Sequence, residues 1–257
     1  MTKSRRPGRE IPRIMRVLSW AAIPLTRGIQ RIDVSGQENL PAAGPFIVVS
    51  NHTSHLDGFV IAVALYEAGI PPRFVAKKEL FTGPLGAILR AAEQVEIDRD
   101  KPVGLIEQMA DVLDRDQPLI IFPEGTFTHD PAGWPMRAKT GIARLHEMRP
   151  DVPIIPVATW GNERIVHPWT GRISLSRIIH RSEHVLVRIG PPITLTGQTL
   201  QEKSDSVMRS LAADVAELRT LLGRPMGDPP AALYVPGELN YHARRAAKKT
   251  RRPARFR

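Results

Sequence analysis

The 257-residue sequence contains no cysteine, and only 5% of its residues are aromatic. The absence of cysteine excludes disulfide scaffolds, thiolate zinc sites, iron–sulfur clusters and cysteine nucleophiles. The few aromatic residues are not interleaved with basic ones, as they are in modules that stack on nucleic-acid bases. We therefore expect no nucleic-acid partner. Apolar residues make up 42% of the chain and charged residues 24%, which is ordinary for a globular domain.

The chain also lacks a run of about 20 apolar residues, the length that a helix needs to span a membrane. The nearest segment, residues 11–29, is interrupted by Arg13, Arg16, Pro24 and Arg27. It has no small-residue cleavage site of the signal-peptide kind. Its mixture of basic and apolar residues predicts, over residues 11–30, an amphipathic helix on a lipid surface. A terminal helix packed on its own domain fits the same pattern equally well.

The net charge of +10 is concentrated at the two ends of the chain. Residues 1–31 carry a net charge of +7 and residues 244–257 carry +8, which leaves −5 for the residues between them. Such ends suit an anionic membrane surface or another polyanion. We predict a basic, disordered N-terminus at residues 1–10, then the amphipathic helix. A folded domain at residues 31–225 and an extended, basic tail at residues 226–257 would follow.

Short apolar runs rich in β-branched residues alternate with helical patterns along the body of the chain. The runs predict strands at residues 46–49, 73–76, 95–97, 119–122, 154–158 and 185–189. Apolar residues at helical spacing predict helices at residues 59–65, 103–113 and 207–222, the last ended by Gly223. This alternation predicts an α/β fold, a single layered domain whose central, largely parallel sheet is flanked by helices. Ligands of such sheets bind where strands end.

Polar residues follow the first of these runs. His52 comes directly after the strand, and Asp57 is five residues further on, near a helix start. At this spacing the carboxylate can hold the proton on one imidazole nitrogen and leave the other nitrogen as a base. A simple hydrogen bond within the loop would give the same pattern. His52, His55 and Asp57 have no fourth ligand nearby, so we predict no bound metal.

Two further polar groups follow later strands. Glu124 and Gly125 come just after the run at 119–122, where proline and glycine fix the backbone path. A tight turn with an exposed glutamate is the alternative interpretation of this segment. Arg99 follows the run at 95–97 and could offer its paired donors to a phosphate. A surface salt bridge with the neighbouring acids is the alternative for Arg99.

The order of these segments is more specific than any one of them. The chain contains in succession Asn51-His52-x-Ser54-x-x-Asp57, Ala76-Lys77-Lys78-Glu79-Leu80, Ile97-Asp98-Arg99, Phe122-Pro123-Glu124-Gly125-Thr126 and Val152-Pro153-Ile154-Ile155-Pro156-Val157. From about residue 34 to residue 191 it resembles the glycerolipid acyltransferase family, typified by lysophosphatidic acid acyltransferases. One departure is Glu93, because the block ending at Arg99 usually opens with a small residue, commonly glycine.

The resemblance implies roles for individual residues. His52 would be the general base that takes the proton from an acceptor hydroxyl as it attacks an acyl thioester, and Asp57 would orient it. Arg99 would hold the phosphate of the acceptor, with Lys77 as a helper.

The other matched blocks would bind the two substrates. Glu124 and Gly125, with Thr126 beside them, would position the glycerol part of the acceptor. The block around Ile155 and Pro156 would shape the acyl-donor side.

The resemblance also implies a peripheral enzyme of phospholipid biosynthesis, on the cytoplasmic face of the cell membrane. It would move a fatty acyl group from acyl-CoA or acyl carrier protein to the free hydroxyl of a lysophospholipid, 1-acylglycerol 3-phosphate, and form phosphatidic acid without a cofactor. Alternative acceptors are glycerol 3-phosphate and other lyso polar lipids. An alternative of another class is a non-enzymatic protein held to anionic lipid or nucleic acid by its ends.

Overall fold

The computed structural model describes residues 10–98, 104–224 and 227–235. Residues 1–9 of the predicted N-terminal tail and most of the predicted C-terminal tail therefore lie outside the described residues, as does Arg99. The helices are α1 (Arg13–Ile29), α2 (Asp57–Glu67), α3 (Gly83–Ala91), α4 (Leu105–Asp114), α5 (Gly141–Met148), α6 (Leu175–Ile179) and α7 (Leu200–Leu221). The strands are β1 (Arg31–Ser35), β2 (Ile47–Ser50), β3 (Val75–Lys77), β4 (Val95–Ile97), β5 (Leu119–Ile121), β6 (Ile154–Trp160) and β7 (His184–Ile189).

The sheet is central and largely parallel, as predicted. Its five strands follow the order β1-β7-β6-β2-β5. Strand β2 pairs in parallel with both β5 and β6, whereas β7 runs antiparallel to β6 and parallel to β1. Strands β3 and β4 form a parallel pair, which joins β5 through a bridge between Phe74 and Ile120.

Alternate residues of the central strands enter two cores, because successive side chains of a strand point to opposite faces. Ile47 and Val49 pack with the apolar sides of α4, α5 and α7. Val48 and Ile120 pack on the other face, against α2. This burial on both faces explains the continuously apolar runs in the sequence.

The sequence prediction missed β1. Its only buried residue is Ile32, which lies between the exposed Arg31 and Asp33. A strand at the edge of the sheet needs few apolar residues, so its sequence looks like a polar loop. The strand extends the sheet beyond β7 and directly follows α1.

Helix α1 packs on its own domain, which is one of the two arrangements that the sequence left open. Its buried residues Met15 and Thr26 lie on the side that packs on the domain, against α2 and α6. The opposite side exposes apolar residues, including Val17, Leu25 and Trp20, which is 85% exposed. Within the described residues, no helix is both long enough and apolar enough to cross a membrane.

Candidate active site

The parallel strands place several polar loops at one edge of the sheet. Because β2, β5 and β6 run in the same direction, their carboxyl ends meet at this edge. The loop after β2 carries His52, the loop after β5 carries Glu124, and the turn after β6 carries Asn162. This edge is the candidate active site.

His52 and Asp57 are in contact, as their spacing predicted. The His52 Nδ1 atom is 3.2 Å from Asp57 Oδ2. Since a carboxylate only accepts hydrogen bonds, Nδ1 carries the proton and Nε2 is the basic atom of the ring. Asp57 opens helix α2 and is fully buried, whereas the His52 side chain keeps part of its surface exposed. The imidazole ring is thus held by a buried carboxylate and remains accessible from solvent.

The carboxylate of Asp57 is surrounded by donors. Its Oδ2 atom accepts hydrogen bonds from the backbone N–H groups of Thr53 (2.6 Å) and Ser54 (2.7 Å). Its Oδ1 atom accepts one from Asn162 Nδ2 at 2.8 Å. These bonds satisfy a buried charge and fix its direction toward His52. The short loop between β2 and α2 therefore acts as a rigid holder for the imidazole.

Aromatic rings enclose the imidazole of His52. The Phe122 ring stacks on it with centroids 4.1 Å apart, and the Phe127 ring lies 4.2 Å away at a tilt. Trp169 in turn meets Phe127 edge-on. Rings on these sides limit the approach of water to the imidazole.

Glu124 is buried and faces the protein backbone. Its Oε1 atom accepts from the N–H of His52 at 3.0 Å, and its Oε2 atom accepts from the N–H of Met136 at 3.1 Å. Burial, with a smaller contribution from the charge of Asp57, raises the pKa of Glu124 to about 8. The alternative of a turn with an exposed glutamate is therefore wrong. Glu124 ties the β5 loop to the backbone of the catalytic histidine candidate.

The remaining predicted site residues lie along the same edge. Gly125 has a φ of 69°, a conformation that favours glycine, and Thr126 beside it is partly exposed. Lys77 is exposed at the carboxyl end of β3 and pairs in register with Ile97. Arg99, two residues after Ile97, lies outside the described residues. The structure therefore groups all of the predicted site residues except Arg99 along one edge.

The structure adds two residues to the site that the sequence did not assign. Asn162 lies in a polar loop without an evident role in the sequence, yet it bonds Asp57 directly. Lys139 is exposed just before α5, and its side chain lies along Gly125. A methyl group added at Gly125 would be 2.9 Å from Lys139 Cε. Only the position of Asn162, just after a buried strand, could have indicated a site residue.

A metal centre has no support in the described part of the chain. There, no group of three or more histidine, aspartate and glutamate side chains is arranged to hold a metal ion. His52 and Asp57 are instead bound to each other and to backbone donors.

Comparison with known proteins places the chain in a family. It belongs to the acyltransferase family, whose model, described as "Acyltransferase", matches residues 31–160. This range contains the loops of His52, Asp57 and Glu124.

Several relatives have a more specific name than the family, 1-acyl-sn-glycerol-3-phosphate acyltransferase. The chain is 30% identical over 206 residues to 1-acyl-sn-glycerol-3-phosphate acyltransferase alpha of Homo sapiens, a match that covers 77% of this chain and 68% of the relative. It is 29% identical over 198 residues to the protein of the same name from Mus musculus, covering 74% of this chain and 65% of that protein. In the Limnanthes alba 1-acyl-sn-glycerol-3-phosphate acyltransferase the 29% identity over 181 residues covers 68% of this chain and 59% of the relative. The chain thus spans about two thirds or less of these proteins.

A solved structure shares the fold. The crystal structure of PlsC, the 1-acyl-sn-glycerophosphate acyltransferase from Thermotoga maritima, matches with a TM-score of 0.58 and 22% sequence identity. The match covers 80% of this chain and 79% of that chain. It supports the layered α/β architecture found here.

Proposed function

We propose that this protein transfers an acyl group from a thioester, acyl-CoA or acyl carrier protein, to the free hydroxyl of 1-acylglycerol 3-phosphate, and so forms phosphatidic acid. The observation that carries the proposal is the contact between His52 and the buried Asp57 at the carboxyl edge of the sheet. Membership of the acyltransferase family and the names of the relatives support the same reaction.

The geometry supplies a general base without a covalent intermediate. Asp57 holds the proton on Nδ1 of His52, so Nε2 takes the proton of the acceptor hydroxyl as its oxygen attacks the thioester carbonyl carbon. The new ester bond forms as the carbon–sulfur bond breaks. The leaving thiolate takes a proton back from the imidazolium, which restores the neutral ring. The chemistry requires neither a metal nor a cofactor.

The acceptor phosphate would meet cations at the same edge. Lys77 and Lys139 are both exposed there, and Arg99 follows β4 closely in sequence. Arginine can fork onto phosphate oxygens, and lysine supplies a compact charge. The turn at Glu124, Gly125 and Thr126 would position the glycerol part, while the buried Glu124 keeps that turn in place.

The enzyme would work as a peripheral protein on the cytoplasmic face of the cell membrane. Both the acceptor and the product are amphiphiles, so the reaction takes place at a bilayer. The exposed side of α1 carries Trp20, Val17 and Leu25 beside Arg13 and Arg16. Apolar and basic residues together favour an anionic lipid surface.

The test is acyl transfer by the purified protein, with radiolabelled acyl-CoA and a panel of acceptors that includes 1-acylglycerol 3-phosphate, glycerol 3-phosphate and neutral lysolipids. We expect labelled phosphatidic acid, and we expect His52→Ala to lower kcat about 10²- to 10⁴-fold because the base is lost. His146→Ala, on α5 away from the site, is the matched control. Labelled product from His52→Ala at the rate of the control would contradict the mechanism.

The acceptor preference separates the proposal from its alternatives. For a phosphate-bearing acceptor we expect Arg99→Ala to raise KM while kcat for a neutral lysolipid stays unchanged. A preference for glycerol 3-phosphate or a neutral lysolipid in the wild type would assign another acceptor to the same chemistry. No transfer to any acceptor would leave the non-enzymatic binding protein as the better explanation.

A further inference from the structure

A second apolar surface lies next to α1, in residues 164–182, which we call the 164–182 segment. An antiparallel bridge between Val166 and Ile173 opens the segment, and α6 follows. Ile173, Leu175 and Ile179 are 57%, 67% and 74% exposed. Three large aliphatic side chains this exposed within seven residues mark an interaction surface.

The segment is joined to α1. Helix α1 packs against α6, and Arg181 Nη2 donates a hydrogen bond to the carbonyl of Arg27 at 2.9 Å. The exposed aliphatic residues of the segment therefore lie on or next to a helix that adjoins α1, and α1 itself exposes Trp20 and Leu25.

The charge of the two regions identifies the kind of partner. Of the seven arginines in residues 11–30 and 164–182, Arg27 pairs with Glu67, and Arg164 and Arg177 pair with the buried Glu183. The other four are exposed, although residues 32–243 as a whole carry a net charge of −5; they are Arg13, Arg16, Arg172 and Arg181. Aliphatic side chains set among arginines match the boundary between anionic headgroups and acyl chains. A second copy of the same surface would bring like charges together.

The other end of the segment contacts the catalytic loop. The carbonyl of Val166 accepts a hydrogen bond from Ser54 Oγ at 3.0 Å. Trp169 packs on Phe127, which lies against the His52 ring. One short stretch of chain thus connects the exposed aliphatic residues to the loop that holds the base.

We propose that the 164–182 segment is a second membrane contact, which inserts Leu175 and Ile179 into an anionic bilayer and holds the His52 loop close to that surface. The proposal rests on the proposed function, because the acceptor of that reaction resides in the bilayer. With α1 alone the domain could rotate about one helix, whereas two adjoining contacts fix its orientation on the membrane.

The absence of cysteine allows a direct test. Ile179→Cys and Leu175→Cys, each labelled with an environment-sensitive fluorophore, report on one position in the full chain. With vesicles of phosphatidylglycerol and phosphatidylcholine, we expect a blue shift of the label and quenching by brominated acyl chains. Leu221→Cys on α7, where the native side chain is 68% exposed, is the matched control and should show neither effect. Labels at 175 and 179 that stay water-like while the protein cosediments with the vesicles would overturn the proposal.

A second measurement separates this inference from the proposed function. We expect Leu175→Ser/Ile179→Ser to weaken binding to the anionic vesicles about tenfold, while acyl transfer to a short-chain acceptor below its micellar concentration stays unchanged. Absence of that transfer in the wild type would count against the proposed function, not against the membrane contact. Unchanged vesicle binding would overturn the inference, and so would a dimer in solution that the double substitution converts to monomers.

Discussion

Two carboxyl groups, those of Asp57 and Glu124, are buried side by side at the sheet edge but are held in different ways. Asp57 receives two backbone N–H groups, the Asn162 amide and the His52 imidazole. Glu124 receives one backbone N–H group on each oxygen. Burial raises the pKa of Glu124 to about 8.

The different hydrogen-bond partners of Asp57 and Glu124 indicate a chemical role for one and a structural role for the other. A carboxylate surrounded by donors and turned toward an imidazole can stabilise the imidazolium that forms during proton transfer. When both oxygens of a carboxyl group face backbone amides, neither oxygen points toward a substrate. We infer that Asp57 acts on the base, whereas Glu124 holds together the two loops that carry the site.

The largest effect is expected from Asp57→Asn. The new amide group would place an N–H donor against either Asn162 Nδ2 or the N–H groups of Thr53 and Ser54, and the charge facing His52 would be lost. We expect kcat to fall by about 10² or more. Steady-state kinetics measures this, with circular dichroism to confirm the fold. Activity within a few-fold of wild type would show that the pair is only a loop hydrogen bond.

A smaller effect is expected from Asn162→Ala, which removes one of the donors to Asp57. We expect kcat to fall about tenfold with little change in KM, because a hydrogen bond to a charged group is worth about 1.5–3 kcal/mol. The pH profile of kcat/KM should also move, since the carboxylate that orients the base loses a partner. Asn39→Ala is the matched control, because its amide likewise donates to a buried acceptor, the carbonyl of Ile189, at 2.8 Å. Equal kinetics for the two variants would assign Asn162 a purely structural role.

For Glu124→Gln the expected effect is on the pH dependence of stability. The folded-state pKa of Glu124 is raised, so its contribution is fully present below the ordinary pKa of 4.5 and is lost as pH rises through about 8. Between pH 5 and pH 8 the wild type should therefore lose stability relative to the glutamine variant. Urea unfolding at several pH values measures this difference.

Glu202→Gln is the control for that series. Backbone hydrogen bonds from Thr199 and Gln198 lower the pKa of Glu202, so its contribution is present above 4.5 and is lost only in more acid solution. It should add no slope between pH 5 and pH 8. The same slope in both series would mean that another group titrates.

The smallest effect on activity is expected from Glu93→Gly, at the position where the resemblance anticipates glycine. Glu93 has a φ of 53°, so glycine would relieve roughly 1 kcal/mol of backbone strain. Glu93 also pairs with the buried Arg73, and loss of that partner costs more, on the order of 3 kcal/mol. We expect a lower Tm with little change in kcat. Asp116→Gly is the control, because Asp116 has a φ of 62° but forms no ion pair with a buried arginine in the described part of the chain. It should leave Tm unchanged or raise it.

Much of the architecture could be predicted from local patterns. Each of the six predicted runs became a strand, since β-branched residues buried on both faces leave a continuous apolar signature. The edge strand β1 left no such signature. Helix α7 begins at Leu200, well before the predicted residue 207, behind a capping box of Thr199 and Glu202. The spacing of Thr199 and Glu202 is typical of a capping box and could have indicated this helix start from the sequence.

The candidate site was only partly predictable. The His52–Asp57 contact spans five residues and is encoded locally by the loop between β2 and α2. The bond from Asn162 to Asp57 spans 105 residues and depends on β6 lying beside β2. The hydrogen bond from the His52 N–H to Glu124 depends in the same way on β5 lying beside β2. The roles assigned to the site residues stay predictions; these residues are His52, Asp57, Lys77, Arg99, Glu124, Gly125 and Thr126.

Local sequence patterns predicted six of the seven strands of the described residues, the largely parallel sheet and the short loop that brings a histidine to its aspartate, because these depend on periodicity and on near neighbours. Tertiary structure decided which distant groups complete that loop and which apolar residues stay exposed. The physical reason is that hydrogen bonds across strands, and burial against another helix, depend on which segments are adjacent in space. Folding made Asn162 a donor to a buried carboxylate, and it left Ile179 exposed while other aliphatic residues became buried.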